Sequence, residues 1–176
     1  MIEIPIFKQS DSSLCGPASI RMILYYYHID TTEEEIAKRC NHTYKLGCYD
    51  TDMKAAIESY GLGCIIQNDS TLDDIKYWLD HNIPVIVDWF SPGLNSGLED
   101  MPNGHSSVVV ELDKEKIYLL DPEIGEKRGI PHEDFLRVWF DWKEPLISAD
   151  PKNLVIRQIM VAYPKKLEEI IQQKLA

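Results

Sequence analysis

The spacing of apolar residues changes part-way along the chain, and this change constrains the fold more than any other feature. Up to about residue 61, apolar side chains recur at the three- and four-residue intervals of amphipathic helices. Further on, short β-branched runs alternate with turn residues, which is typical of strands joined by hairpins. The pattern predicts an α+β fold, with an N-terminal helical half packed on a C-terminal antiparallel sheet.

Three helices are predicted in the first third of the chain. The first covers residues 17 to about 27, and its opening proline is tolerated only in the first turn. Thr32 and Glu35 have the spacing of a capping box, which predicts the start of the second helix. The third helix starts near Asp50 and stops at Gly61, a residue suited to the position after a helix end.

The later part of the chain predicts a sheet with two further helices. The predicted strands are residues 64–66, 84–89, 107–112, 117–120 and 155–162, and the predicted helices are residues 70–79 and 133–138. A turn at 113–116 joins two of these strands into a hairpin. Residues 91–104, rich in Gly, Pro, Asn and Ser, are predicted to form a surface loop. Residues 165–176 are expected to form a C-terminal helix or a tail.

Length and charge limit the class of partner. The chain has 176 residues, and its 18 Lys+Arg against 29 Asp+Glu give a net charge of −11. This length suits a single domain, which we expect to span residues 1–176. The acidity disfavours nucleic acid as a partner, because phosphate binding requires clustered Lys and Arg. The longest uncharged apolar run, residues 83–87, is too short for membrane insertion.

The four cysteines, Cys15, Cys40, Cys48 and Cys64, do not have the spacing of a common metal or redox motif. Cys40 and Cys48 together with His42 match no recurrent metal site, so we expect neither a metal nor another cofactor. The N-terminus shows no secretory signal. Reduced thiols and a cytoplasmic location are therefore expected.

Cys15 stands where a polar loop enters the first helix, directly before Gly16. The unpaired N–H groups and the dipole of a helix N-terminus favour a thiolate over a thiol. Gly16 has no Cβ, so a substrate backbone can approach closely. Six residues upstream, the side-chain amide of Gln9 could donate to an oxyanion next to the sulfur. The alternative is a buried structural cysteine with an ordinary loop glutamine.

His105 is the strongest candidate for the base that a cysteine nucleophile needs. It follows a turn pair that ends in Gly104 and leads into the β-branched strand. Asp121, which comes 16 residues later, closes the return strand, so the two side chains should lie at the same end of the hairpin. We expect the Asp121 carboxylate to accept the imidazole Nδ1–H and orient the ring. Alternatively, Asp121 and Pro122 only start a turn.

Three separated motifs occur in a fixed order: Gln9 and Asp11 with Cys15-Gly16-Pro17-Ala18, then Gly104-His105, then Asp121-Pro122 followed by Gly125. In this combination the chain resembles the peptidase C39 family and its C39-like relatives, which are papain-like cysteine peptidases. The resemblance covers roughly residues 4–138. It implies a papain-like fold with the cysteine on the helical half and the histidine on the sheet.

The same resemblance implies roles for individual residues. By position, Cys15 is the nucleophile and His105 is the general base and acid. Asp121 orients the histidine, and Gln9 supplies the oxyanion hole. The implied reaction is hydrolysis of a peptide bond through a thioester on Cys15, with a peptide or small protein as substrate. Gly16, Gly104 and Trp89 are predicted to contact that substrate.

Two departures from the family pattern lie next to the proposed site residues. Leu14 stands where transporter-linked members carry an acidic residue, and Ser106 stands where many relatives carry an aromatic residue. Two alternatives to peptide hydrolysis stay open at this point. The first is acyl transfer to an amine or thiol with the same Cys-His-Asp chemistry, as in phytochelatin synthase-like relatives. The second is a peptide-binding module without turnover on the same fold.

Overall fold

An antiparallel sheet forms the frame of the protein, seen in a computed structural model that describes residues 2–91, 103–143 and 150–175. In chain order, the helices and strands are α1 (Cys15–Tyr26), α2 (Glu33–Arg39), α3 (Asp50–Ser59), β1 (Leu62–Gln67), α4 (Leu72–Asp80), β2 (Val85–Ser91), β3 (Asn103–Leu112), β4 (Lys116–Asp121), β5 (Glu126–Pro131), α5 (His132–Val138), β6 (Phe140–Trp142), β7 (Leu154–Ile156), β8 (Ile159–Pro164) and α6 (Glu168–Leu175). Short 3-10 helices precede β7 and α6.

The main sheet contains six of the described strands, in the order β1-β8-β2-β3-β4-β5. All of its neighbouring strands are antiparallel. Strands β6 and β7 pair separately. The predicted α+β class is therefore confirmed, and so is the hairpin of β3 and β4.

The N-terminal helices follow the signals in the sequence. Helix α1 opens at Cys15, and Pro17 lies in its first turn, as predicted. Thr32 precedes α2 and accepts a hydrogen bond from the Glu35 N–H at 3.2 Å. Gly61 follows the end of α3 with a φ of +88°, a conformation that glycine adopts without strain.

The sheet carries a separate hydrophobic core on each face. On the first face, which we call the helical face, aliphatic residues of α1, α2 and α3 pack against side chains such as Ile86 and Val108. On the second, the aromatic face, α4, α5 and α6 pack against alternate strand residues, with Trp78, Trp89, Phe135 and Trp139 at the centre. The prediction of a helical half packed on a sheet holds for one face only, because helices cover the other face as well.

Several strands differ from the sequence predictions. Strand β3 begins at Asn103, four residues before the predicted start, because its first residues pair with β2. The predicted strand at 155–162 is divided into β7 and β8, since Arg157 has a φ of +50° and turns the chain. Strand β5 was not predicted, because the residues around Arg128 and Gly129 are polar or small and lack alternation.

Two further predictions concern the residues between β2 and β3 and the C-terminal residues. Of the predicted loop at 91–104, Ser91 ends β2 and Asn103 begins β3, and the intervening residues lie outside the described part of the chain. The C-terminal alternative of a helix is the one observed, as α6. Within the described residues, no helix has the length and apolar character that crossing a bilayer requires.

Candidate active site

The N-terminus of α1 positions Cys15. Cys15 is the first residue of the helix, and Leu14 before it provides no side-chain cap. The first turn contains no acidic residue, so the positive end of the helix dipole is not neutralised there. A Cβ on Gly16 would lie 2.9 Å from the sulfur of Met53, so glycine lets α1 and α3 pack closely beside the cysteine.

The Cys15 thiol is hydrogen-bonded to the side chain of His105. Burial raises the pKa of this thiol, but the hydrogen bond and the charge of His105 outweigh the burial and lower the pKa below its usual range. Backbone N–H groups of Ser106 and Gly16 lower the Cys15 pKa further. The geometry thus favours a thiolate paired with an imidazolium.

His105 and Asp121 are joined by a hydrogen bond of 2.8 Å between Nε2 and Oδ1. The two residues lie on neighbouring strands at the same end of the hairpin, as the sequence predicts. The prediction that Asp121 accepts from Nδ1 is wrong, because the ring orientation in the folded protein presents Nε2 to the carboxylate. Nδ1 is therefore the nitrogen left for the Cys15 sulfur, since an imidazole has only two.

Asp121 is held as an anion by three neighbours. Its Oδ1 also accepts a hydrogen bond from the Glu123 N–H at 3.0 Å, and Nη2 of Arg128 lies 3.1 Å from Oδ2. Burial raises the pKa of Asp121, and the hydrogen bond and charge of His105, with the charge of Arg128, lower it on balance. Sequence reasoning missed Arg128, because β5 was not predicted, although the turn residues from Pro122 to Gly125 signal a return strand.

Trp89 lies beneath the imidazole. Its ring meets the His105 ring edge-on with 5.8 Å between centroids, and its Nε1 donates to the Ser107 hydroxyl at 3.0 Å. Only 1% of Trp89 is exposed. The structure therefore gives Trp89 a supporting position in the core, and not the accessible surface that the predicted substrate contact requires.

The pKa of His105 is raised to about 10. Burial lowers this pKa, whereas the hydrogen bonds to Asp121 and Cys15 raise it by more. An imidazolium at this position is favoured on both sides, by a carboxylate on Nε2 and by a thiolate next to the other nitrogen.

Gln9 lies on the N-terminal segment that crosses the open end of the hairpin. Its backbone N–H donates to the Pro122 carbonyl at 2.9 Å, which ties this segment to the turn after Asp121. Its side-chain Nε2 donates to the Asp11 carbonyl at 2.9 Å. The side-chain oxygen of Gln9 is buried and has no hydrogen-bond partner. A primary amide carries two N–H donors, so one of them is left beyond the bond to Asp11.

Comparison with known proteins decides the family. The profile of the Peptidase_C39 like family matches residues 1–144, which is most of the chain. The chain belongs to this family. It is a papain-like cysteine peptidase. The search of curated protein sequences gives no match to this C39-like peptidase.

Solved structures of similar fold cover nearly all of this C39-like peptidase. A double-glycine motif protease from an AMS/PCAT transporter, in complex with its leader peptide, has a TM-score of 0.66 at 20% identity and covers 92% of both chains. The peptidase domain of Streptococcus ComA, a bifunctional ABC transporter, has a TM-score of 0.66 at 14% identity over 93% of this chain and 99% of its own. A C39-like peptidase from Bacillus anthracis gives 0.65 at 14% identity, over 91% and 94%.

Gly104 and Gly16 flank the Cys–His pair of the peptidase. A Cβ on Gly104 would collide with the carboxylate of Asp141, which lies directly over the backbone before His105. Burial raises the pKa of Asp141 to about 6. At the two glycines that were predicted to contact substrate, the space beside the backbone is therefore occupied by Met53 and by Asp141.

One group of potential metal ligands occurs among the described residues. Atoms of His105, Asp121 and Glu123 lie within 4.8 Å of one another. Nε2 of His105 and Oδ1 of Asp121 are already hydrogen-bonded to each other. The arrangement therefore fits a histidine oriented by a carboxylate better than it fits a metal centre.

Proposed function

We propose that Cys15, His105 and Asp121 cleave a peptide bond, with Cys15 as nucleophile, His105 as base and acid, and Asp121 as the residue that orients the imidazole. The observation that carries this proposal is that His105 contacts both partners: its side chain is hydrogen-bonded to Cys15, and its Nε2 lies 2.8 Å from Oδ1 of Asp121. A nucleophile, a base and an orienting group in contact are the three parts that covalent catalysis requires.

The reaction begins from the thiolate–imidazolium pair. The Cys15 sulfur attacks the carbonyl carbon, the C–S bond forms, and the electron pair of the C=O bond moves to the oxygen. On collapse, the C–N bond breaks and the His105 imidazolium gives its proton to the leaving amine. Water then attacks the thioester while His105 takes a proton from it. The C–S bond then breaks, and its electron pair stays on the sulfur, which regenerates the Cys15 thiolate as the acid product leaves. The proton on His105 restores the ion pair with that thiolate.

The negative oxygen of the tetrahedral intermediate needs donors that are in place before it forms. The N–H of Cys15 lies at the start of α1, where backbone donors have no partner within the helix. We assign the second donor to Gln9, whose Nε2 keeps one N–H beyond its bond to Asp11. The hydrogen bond from Gln9 to Pro122 keeps this side chain near the Asp121 turn.

A peptide is the substrate class that we assign to this site. One protein of similar fold was crystallised with a leader peptide bound, which supports a peptide ligand for this chain as well. A cytoplasmic setting also belongs to the proposal, and it rests on the cysteine usage of the sequence.

Differential labelling with iodoacetamide tests the nucleophile. We expect Cys15 to react much faster than the other three thiols at pH 7, because the thiolate is the reactive form and the Cys15 pKa is lowered. Burial raises the pKa of Cys64 to about 12, which makes Cys64 an internal control. Mass spectrometry of tryptic peptides gives each rate. Equal rates at Cys15 and Cys64 would refute the assignment.

Peptide-library cleavage by the wild type and by Cys15→Ala tests the reaction. We expect the wild type to produce new N-termini and Cys15→Ala to lower kcat/KM by about 10⁴-fold or more, as loss of a catalytic nucleophile does in other proteases. Cys64→Ala is the matched control and should retain activity, since this buried thiol lies in β1. Cleavage by Cys15→Ala at the wild-type rate would sink the proposal.

A further inference from the structure

The first part of β3 extends beyond β4. The register between these strands begins at the pair Val108 and Leu120, so Ser106 lies outside the paired part. Helix α1 satisfies the backbone of Ser106 instead. The Ser106 N–H donates to the Cys15 sulfur, and the Ser106 carbonyl accepts a hydrogen bond from the Ser19 hydroxyl at 3.1 Å.

Ser106 is fixed on its other side through its hydroxyl. Its Oγ donates to Oδ1 of Asp88, its partner in the β2–β3 register, at 2.6 Å. Oδ2 of Asp88 accepts a hydrogen bond of 3.0 Å from Nε2 of Gln158, which also donates to Asp50 at 2.8 Å. Ser106 is 6% exposed and Asp88 4% exposed, so these bonds are shielded from water.

The charge state of Asp88 suits its place near a thiolate. Burial, followed by the charges of Asp50 and Asp141, raises the pKa of Asp88 well above its usual range. A raised pKa favours the neutral carboxyl, which still accepts the hydrogen bond from Ser106 without the negative charge of a carboxylate. The Ser106 contact to Asp88 therefore positions the strand without opposing ionisation of the nucleophile.

Residues of α1 one turn apart thus meet a single residue of β3. The Ser106 N–H donates to Cys15, and the Ser106 carbonyl accepts from Ser19. The Ser106 hydroxyl donates to Asp88 on the neighbouring strand. Buried polar groups in such a network are costly to leave unpaired, so the arrangement has few alternatives of similar free energy. It sets the separation between the helix that carries the sulfur and the strand that carries the imidazole.

We propose that Ser106 is a positioning residue for catalysis: its hydroxyl bond to Asp88 and its carbonyl bond to Ser19 aim its N–H at the Cys15 sulfur and hold α1 against the start of β3. This inference rests on the proposed function of Cys15 as nucleophile. A hydrogen bond to the charged form of a group favours that form, so the Ser106 N–H favours the thiolate.

Ser106→Ala removes the hydroxyl and keeps the backbone. We expect the midpoint of the pH dependence of Cys15 labelling to rise by about 0.5–1 unit, because a loosened N–H stabilises the thiolate less. On a cleaved peptide, kcat should fall by about 10-fold with KM within about 2-fold, since the change acts on the nucleophile rather than on substrate binding. Ser106→Thr retains a hydroxyl and should restore both values.

Ser70→Ala is the matched control for loss of a buried serine hydroxyl. Ser70 is fully buried, and its hydroxyl donates to the Gln67 carbonyl at 3.2 Å, outside the contacts of the candidate site. It should lose stability like Ser106→Ala and leave the Cys15 labelling midpoint unchanged. Ser19→Ala is the second test variant, for use if Ser106→Ala does not fold, and it should raise the midpoint in the same way.

The outcomes separate this inference from the proposed function. If the wild-type Cys15 labels no faster than Cys64, the proposed function fails before Ser106 is considered. If Cys15 is selectively labelled but its midpoint is the same in Ser106→Ala and Ser19→Ala as in the wild type, the positioning role is wrong. An equal shift in Ser70→Ala would also overturn it, because the shift would then reflect general loosening of the fold.

Discussion

The two faces of the main sheet make different contributions to the candidate site. The helical face has an aliphatic core, and its helix α1 supplies Cys15. His105 and Asp121 lie on the aromatic face, because they are an even number of residues from Val109 and Leu119 of the second core in the same strands. The three residues meet only at the open end of the β3–β4 hairpin.

This difference shows how the protein sets two protonation states at once. The nucleophile depends on a helix N-terminus and on donors from the end of β3, which favour a negative charge. The base depends on Asp121 and on the packing of Trp89, which favour a positively charged and fixed ring. Variants on the two faces should therefore affect different steps of catalysis.

Among variants that keep the nucleophile, the largest effect is expected on the aromatic side, at Asp121. Asp121→Ala should lower kcat/KM by about 10²–10⁴-fold, because the imidazole loses the acceptor that fixes its orientation and charge. Asp121→Asn should be milder, since an amide oxygen can still accept the Nε2–H, as in the Cys-His-Asn arrangement of papain-like proteases. Steady-state kinetics on a cleaved peptide measures both.

Asp113 provides the matched control at the opposite end of the same hairpin. Its carboxylate accepts the N–H groups of Glu115 and Lys116 in the turn and lies outside the contacts of the candidate site. Asp113→Ala should leave kcat/KM within about 2-fold of the wild type, as expected for an exposed turn residue. Equal losses in Asp113→Ala and Asp121→Ala would contradict an orienting role for Asp121.

The pH profile of kcat/KM should have an acid limb set by Cys15 of the helical face and an alkaline limb set by His105 of the aromatic face. On the acid side, kcat/KM should fall by about tenfold per pH unit once the pH drops below the lowered Cys15 pKa, because the thiolate is protonated. On the alkaline side, activity should be lost as the pH rises through about 10, where the His105 imidazolium loses its proton.

The assignment of the alkaline limb to His105 can be checked by the direction in which the limb shifts in a variant. Asp121→Asn removes the anion that raises the His105 pKa, so this limb should move to lower pH. The same raised pKa contributes folding stability that is complete below the ordinary value of 6.5 and is lost as the pH rises through about 10. A wild-type alkaline limb centred near 6.5 would contradict the ion pair.

The smallest effect on activity is expected deep in the aromatic core. Phe135 is fully buried and packs against Trp139 with 5.1 Å between ring centroids. Phe135→Leu should lower the free energy of unfolding by about 1–3 kcal/mol through imperfect packing, with kcat/KM of the folded enzyme within about 2-fold. Chemical denaturation and steady-state kinetics test the two expectations separately. A large loss of kcat/KM would mean that the two faces are more tightly coupled than the contacts indicate.

Local signals explain which parts of the fold were predictable. Helices α1 to α4 have apolar periodicity and recognisable ends, such as the capping box of Thr71 and Asp74 at the start of α4. Strand β5 has no alternation of apolar and polar residues, and Ile130 is its one β-branched residue, so it was missed. Its place is determined by pairing with β4, and a pattern within the strand does not report such pairing.

The candidate site likewise has features that the sequence predicts and features that it does not. The places of Cys15 at the start of a helix and of Asp121 at the end of the return strand of a hairpin follow from residue type and sequence spacing. The ring nitrogen that faces Asp121 does not, because packing in the folded core selects the imidazole orientation. The burial of Trp89 beneath the ring and the approach of Arg128 to Asp121 are tertiary results as well.

The sequence by itself determined the α+β class, the family and the identity of Cys15, His105, Asp121 and Gln9 as candidates. The tertiary structure decided how they meet. It gives Nε2 to Asp121, leaves the other nitrogen to the Cys15 sulfur, and joins Ser106 to both α1 and β2. The physical reason is the separation of the interacting residues along the sequence. Helix and strand patterns depend on residues a few positions apart. Hydrogen bonds that set charge and geometry join residues far apart in the chain, such as His105 and Asp121, 16 positions apart, and Ser19 and Ser106, 87 positions apart. Only the folded chain brings these residues into contact.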